Sequence, residues 1–173
     1  MENQANSKSI IVNYGLYLGV ISILMSVTLY ALGMHLEPHW SVAVVGFLVT
    51  IALIVIGIKK FKEANEGFLS WGQAVKIGVG IALISSIIVM AYQLIFMNYI
   101  EPDFIAQTME KQNQVMIDAG YTEEQMETAT AMSEKMKSPA IISAMNILGG
   151  VFIGFIISAI AGAFMKESEE EQY

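Results

Sequence analysis

The sequence contains no cysteine and no arginine, and it carries few charges of either sign. Without cysteine, disulfides and thiolate metal sites are excluded. Without arginine, there is no planar, bidentate clamp for phosphate or carboxylate. All nine basic residues are lysines. Charged residues make up 14% of the chain, against roughly 25% in a typical soluble domain. The net charge of -7 argues against nucleic acid as a partner. There is no phosphate loop, nucleophile elbow, HExxH or dinucleotide fingerprint. Gly78 and Gly80 lie inside an apolar run, so they form no phosphate cradle. What the chain does have is apolar surface: 55% hydrophobic residues over 173 positions, with a mean hydropathy of +0.57. That length suits one domain.

A helix needs about 20 mostly apolar residues to cross about 30 Å of hydrocarbon. Four runs meet or approach this: Ile10 to Met34, Ser41 to Ile58, Ala74 to Met97 and Ala140 to Met165. The second is short, which suits an upright helix or a locally thinned bilayer. Lys76 is the one charge within the runs, and its stem can snorkel to the interface. Four such runs leave too little polar surface for a water-soluble core. The first run is longer than the about 7–15 apolar residues of a signal peptide, so it reads as an uncleaved helix. The expected fold is therefore all-α, a single membrane domain over 1–173 with four transmembrane helices and the lipid bilayer as solvent.

Lysine-rich short loops stay in the cytoplasm. Lys59, Lys60 and Lys62 lie between runs two and three, Lys76 soon after, Lys8 before run one and Lys166 after run four. The opposite side holds Lys111, Lys135 and Lys137. This places both termini in the cytoplasm and the long acidic segment outside, in a bacterial inner membrane. Tyr14, Tyr30, Trp40, Trp71, Tyr92 and Tyr99 fall near run ends, as interfacial aromatics do. The stretch Gly67 to Lys76 reads as a re-entry into the membrane. Trp71 sits at the interface, Gly72 allows close approach, and Lys76 reaches back to headgroups.

Residues 99–138 read as an extracytoplasmic helical hairpin between runs three and four. Pro102 suits a first helical turn, and Gly120 a left-handed cap. Thr122 and Gln125 form a capping box, and Pro139 ends the second arm. The first arm is expected to continue the third membrane helix, kinked at Pro102. Ile105, Met109 and Met116 share a face of the first arm. Met126, Ala129, Met132 or Ser133, and Met136 share a face of the second. These stripes are read as packing on each other, with docking of a partner as the rival. Thioether ligation of Cu(I) finds no support in the helical spacing.

Helices in lipid associate through small residues. Gly150, Gly154, Ser158 and Gly162 form a stripe at four-residue spacing, and Gly78, Ala82 and Ser86 form another. Gly15 and Gly19 mark the first run. Gln93 and Asn146 lie at matching depths in runs three and four, which predicts a hydrogen bond between them.

His35, Glu37 and His39 resemble a zinc ligand set within five residues. Pro38 and the short turn oppose the helix that such spacing requires, so the trio is read as a polar turn. No metal and no cofactor are expected. The acidic stretch Glu167 to Glu171 reads as a solvated end.

Three stretches then form a familiar order: Gly57-Ile58-Lys59-Lys60-Phe61-Lys62, Gly67-Phe68-Leu69-Ser70-Trp71-Gly72-Gln73-Ala74-Val75-Lys76-Ile77-Gly78, and Tyr99-Ile100-Glu101-Pro102-Asp103-Phe104. In this order the chain resembles the DUF4199 family, an uncharacterised group of bacterial membrane proteins common in Bacteroidetes. The resemblance implies a four-helix inner-membrane protein and no particular activity.

The expected function is non-enzymatic: an accessory or scaffold subunit acting by association with a membrane partner or with itself. The alternative is a small oligomeric transporter or channel, its pore lined by Ser85, Ser86, Gln93, Asn146 and Ser158.

Overall fold

The computed structural model describes residues 6–167, without the side chains of residues 135 and 136. Four long helices, α1 (Ser7–Ala31), α2 (Trp40–Ala64), α3 (Trp71–Ile95) and α6 (Pro139–Met165), are apolar and long enough to cross a membrane. Two short helices, α4 (Phe104–Asp118) and α5 (Glu123–Met136), connect α3 to α6. Among the described residues there is no strand, only one bridge in which Leu69 and Glu167 exchange backbone hydrogen bonds of 3.0 and 2.9 Å.

The helix ends follow from caps. Asn6 accepts from the Ser9 N–H at the start of α1. Ser70 and Gln73 form a capping box on α3, as Thr122 and Gln125 do on α5. Each box satisfies amides that the first turn leaves free. Pro139 occupies the first turn of α6, where a missing N–H costs nothing. Gly120 joins α4 to α5 at a φ of +78°, a conformation glycine adopts without strain.

Helix α1 is shifted three residues toward the N-terminus of the expected run and α3 begins three residues earlier; two other boundaries differ more. Helix α2 runs six residues past Ile58, to Ala64. Lysines 59, 60 and 62 are therefore helical rather than looped. Straight-chain lysine is a good helix former, and polarity alone does not end a helix. The first hairpin arm also does not continue α3. A π-helical turn, Phe96–Ile100, widens the end of α3, and the Glu101 N–H closes onto the Phe96 carbonyl at 2.8 Å. Pro102 brings no N–H to extend the ladder, and α4 restarts only at Phe104.

Helix α3 is central and packs most extensively on α6 and then on α1. Its seam with α6 is built of small side chains. A methyl group on Gly78 would overlap Ser158, one on Gly154 would overlap Ala82, and one on Gly150 would overlap the Ser86 hydroxyl. A Cβ on Gly162 would come within 2.8 Å of the Ala74 Cβ. Gly15 and Gly19 seat α1 on Ile84 and Ile88 of α3 in the same way. Such contacts replace the hydrophobic drive that lipid removes between helices. The outward faces expose Leu16, Leu24, Phe47, Leu48, Phe152 and Phe155, as a surface solvated by lipid requires.

The core is not evenly distributed along the bundle. Leu18, Ile54, Ile58, Phe61, Leu69, Ala74, Ile77, Ile81 and Ile157 form the buried cluster. All but Leu18, which sits at mid-helix and borders the cavity described below, lie toward the end where Lys62 and Lys166 sit. There Lys62 Nζ donates to the Met165 carbonyl at 3.1 Å and pairs with Glu167 at 2.6 Å. We call this the lysine end, and the opposite one the hairpin end.

Candidate functional site

Toward the hairpin end the four helices leave space between them. One cavity of about 360 Å³ lies between α1, α2, α3 and α6, and its polar lining is Ser22, Thr50, Ser85, Ser86, Gln93 and Asn146. A second, of about 280 Å³, adjoins it through Ser22 and Gln93 and reaches outward to Ser26, His35, Tyr92, Phe96 and Phe104. An apolar groove of about 480 Å³ between α1 and α2 shares Met25, Leu29 and Val42 with that second cavity. The three lie in succession from the lipid-facing surface to the middle of the bundle, each sharing wall residues with the next. Leu18, Thr50 and Ala82 border the inner part of the first cavity; Ile54, one helical turn beyond Thr50, and Ile81, next to Ala82, are both fully buried.

The polar lining presents hydroxyls and amides to the cavity. Ser22 and Thr50 return their hydroxyl protons to carbonyls one turn back, at 2.8 Å each. This leaves their oxygen lone pairs free to accept. Asn146 Nδ2 donates to Gln93 Oε1 at 3.0 Å, linking α6 to α3 above Gly150. The matched depths of these two amides are thus a hydrogen bond in the structure.

His35 closes the outer wall. Its ring meets Tyr30 edge-on at 5.0 Å, stacks near Phe104 at 6.1 Å and stands 6.3 Å from Phe96. Phe96 and Phe104 are themselves in edge contact at 5.4 Å. The π-helical turn has a role here, since it turns Phe96 inward and delivers Glu101 to the histidine. His35 Nε2 and Glu101 Oε2 are 2.8 Å apart, with both side chains largely buried. The ring is not aligned for a hydrogen bond with that carboxylate, and Nδ1 has no partner within the described residues. The contact becomes an ion pair whenever the imidazole carries a proton.

The expected trio of the outer turn is not brought together. His35 turns to Glu101. Glu37 pairs with Lys111 on α4 at 2.8 Å. His39 caps α2, with Nδ1 2.9 Å from the Ser41 hydroxyl. Among the described residues no group of three His, Cys, Asp or Glu side chains is placed to hold a metal ion. The Glu37 carboxylate bonds the Lys111 ammonium and holds its pKa above the ordinary value.

Other residues singled out in the sequence take these positions. Ser85, Ser86, Gln93 and Asn146 line the inner cavity. Ser158 does not, because it is fully buried against Gly78, with its hydroxyl bonded to the Gly154 carbonyl at 2.6 Å. Trp71 stays half-exposed and donates its indole N–H to the Ala159 carbonyl at 3.0 Å. Gly72 makes no close approach, as a Cβ there would meet open space. Lys59 and Lys76 are exposed, and Lys60 pairs with Glu63 at 2.8 Å. On the hairpin, Ile105 and Met109 line a groove with Ser133. Met132 is exposed, and the side chain of Met136 lies outside the described ones. Ser22, Ser26, Thr50 and Glu101 carried no role in the sequence reading. The one signal for two of them was the four-residue spacing of Ser22 and Ser26 in an apolar run.

The chain belongs to the DUF4199 family, described as a protein of unknown function, whose model matches residues 13–167. Neither a curated protein nor a solved structure matches it.

Proposed function

We propose that this member of the DUF4199 family is a non-enzymatic membrane protein that acts by association, presenting its hairpin to a membrane-bound partner or to a second copy of itself. One observation carries the reading. The small-residue stripes of α3 and α6 are consumed within the bundle, while α4, α5 and the turn between them keep Val115, Ile117, Tyr121 and Met132 more than half exposed. Those side chains lie on a segment too polar to belong in lipid, so a protein surface is the apt cover for them. Six lysines fall at one end of the bundle and three on the hairpin side. The imbalance supports a cytoplasmic lysine end and an extracytoplasmic hairpin in a bacterial inner membrane.

Photo-crosslinkers placed at Val115 or Met132 in living cells test this. Discrete protein adducts from these positions, with none from the lipid face at Leu48, are the expected outcome. Recovery of an uncrosslinked monomer from both hairpin positions would sink the proposal.

The second reading, an oligomeric transporter or channel, is favoured by the convergence of Ser85, Ser86, Gln93 and Asn146 on one cavity. A pore needs that cavity to continue to the lysine end, where the fully buried Ile54 and Ile81 now stand. Transport would require those side chains to part.

A further inference from the structure

The neighbouring spaces at the hairpin end have an order: an apolar groove open to lipid, a chamber walled by aromatics and His35, and an inner cavity of hydroxyls and amides. We infer that this is a binding site for a single-chain amphiphile with an uncharged, hydrogen-bonding head. The chain would lie in the α1–α2 groove and the head would reach Gln93, Asn146 and the serines. This goes beyond the association role and does not depend on it.

Three features select that class. First, the groove is lined by Ile21, Leu24, Met25, Leu29, Leu32 and Val45, and Leu24, Leu32 and Val45 face outward, half or more exposed. A chain can therefore enter sideways from the bilayer without crossing a polar surface. Second, the head region offers amides and hydroxyls, which exchange hydrogen bonds with a glycerol or amide head. The inner cavity alone lies within the range of about 300–1,000 Å³ typical of ligand sites. Third, among the described residues no lysine lines any of the three spaces, and the one carboxylate nearby, Glu101, backs His35 at their outer wall. A phosphate head would find no cation and would leave its charge uncompensated in a dry site. Beyond the inner cavity toward the lysine end the bundle is packed solid around the fully buried Ile54, Ile58, Ile77 and Ile81, so the site holds a guest rather than passing it through.

Gly46 gives a clean way to close it. This glycine lines the chamber between groove and inner cavity. A Cβ built on it meets only the Met25 Cε, at an ordinary 3.7 Å. Gly46→Leu therefore fills the passage without colliding with backbone.

The experiment is native mass spectrometry of the detergent-purified full chain with two amphiphiles of the same acyl chain, monoolein and oleoyl lysophosphatidylglycerol. Monoolein should be retained about tenfold more tightly, the scale of one unmet hydrogen-bonding or charge requirement in a buried site. Gly46→Leu and, on a different helix, Gln93→Leu should each weaken monoolein about tenfold, while Leu48→Ala on the lipid face leaves it unchanged. Equal retention of the two amphiphiles would overturn the site. So would unchanged monoolein binding in both cavity variants, which would mean annular lipid only. A loss of the same size in Leu48→Ala would likewise refute it.

Discussion

The two ends of this bundle solve the same packing problem differently. At the lysine end, isoleucines interdigitate around α3 until Ile54, Ile58, Ile77 and Ile81 have almost no exposed surface. Glycines there let backbones touch. At the hairpin end the same four helices separate, and serine, threonine and amide side chains line the gap. In lipid, where burying an apolar side chain gains little over leaving it among acyl chains, tight contact must come from shape. The difference shows that shape complementarity was spent on one half of the molecule and space on the other.

That contrast can be broken by mutation, and the largest effects belong to the lysine end. Ile54→Ala or Ile81→Ala should cost about 2–5 kcal/mol, because a rigid surround does not collapse into the hole. Thermal unfolding in detergent reads this, and a cost below that of the cavity-lining Met25→Ala would contradict the contrast. Next comes overpacking of the seam. Gly78→Ala drives a methyl into Ser158 and should destabilise by about 1–3 kcal/mol. Gly149→Ala on the same seam helix meets open space and should be neutral or slightly stabilising. Smaller still is the Gln93–Asn146 hydrogen bond. A double-mutant cycle to leucine should give a coupling of about 0.6 kcal/mol, and additive losses would remove it as an interaction.

The smallest effect is the tether between the hairpin and the first turn. Glu37 raises the pKa of Lys111, so the pair is favoured while the ammonium is charged. Its contribution is present at neutral pH and is lost as pH climbs through and beyond 10.5. Protection of the α4 amides, measured against their intrinsic base-catalysed exchange, should fall over that range. Lys111→Ala should show the lower protection throughout, since it lacks the group that titrates.

The lysine end was the legible half. Apolar runs announce membrane helices because lipid tolerates little else. The stripes at Gly150, Gly154, Ser158 and Gly162 and at Gly78, Ala82 and Ser86, which run from that end up to the wall of the cavity, leave a four-residue period that anyone can count. The end of α2 was misplaced because Lys59–Ala64 is polar yet helical, so the apolar run ended before the helix did. The hairpin end was harder to read. Its cavity depends on how far α1 and α2 lean from α3, and sequence spacing does not encode that angle. Ser22 and Thr50 look like ordinary intrahelical hydroxyls because each does bond its own backbone. The pairing of His35 with Glu101, far apart in the chain, arises from a π-helical turn that the apolar run Leu94–Met97 does not betray.

The absence of native cysteine gives a direct test of the central contrast. Single cysteines at Ser22, Ser86 and Ile81 can be challenged in detergent-purified protein with a small, uncharged, membrane-permeant thiol reagent. Ser22→Cys and Ser86→Cys should be labelled, and Ile81→Cys should stay protected until the protein is unfolded. Labelling of Ile81→Cys in folded protein, or protection of both serine positions, would contradict a bundle sealed at its lysine end and open toward its hairpin.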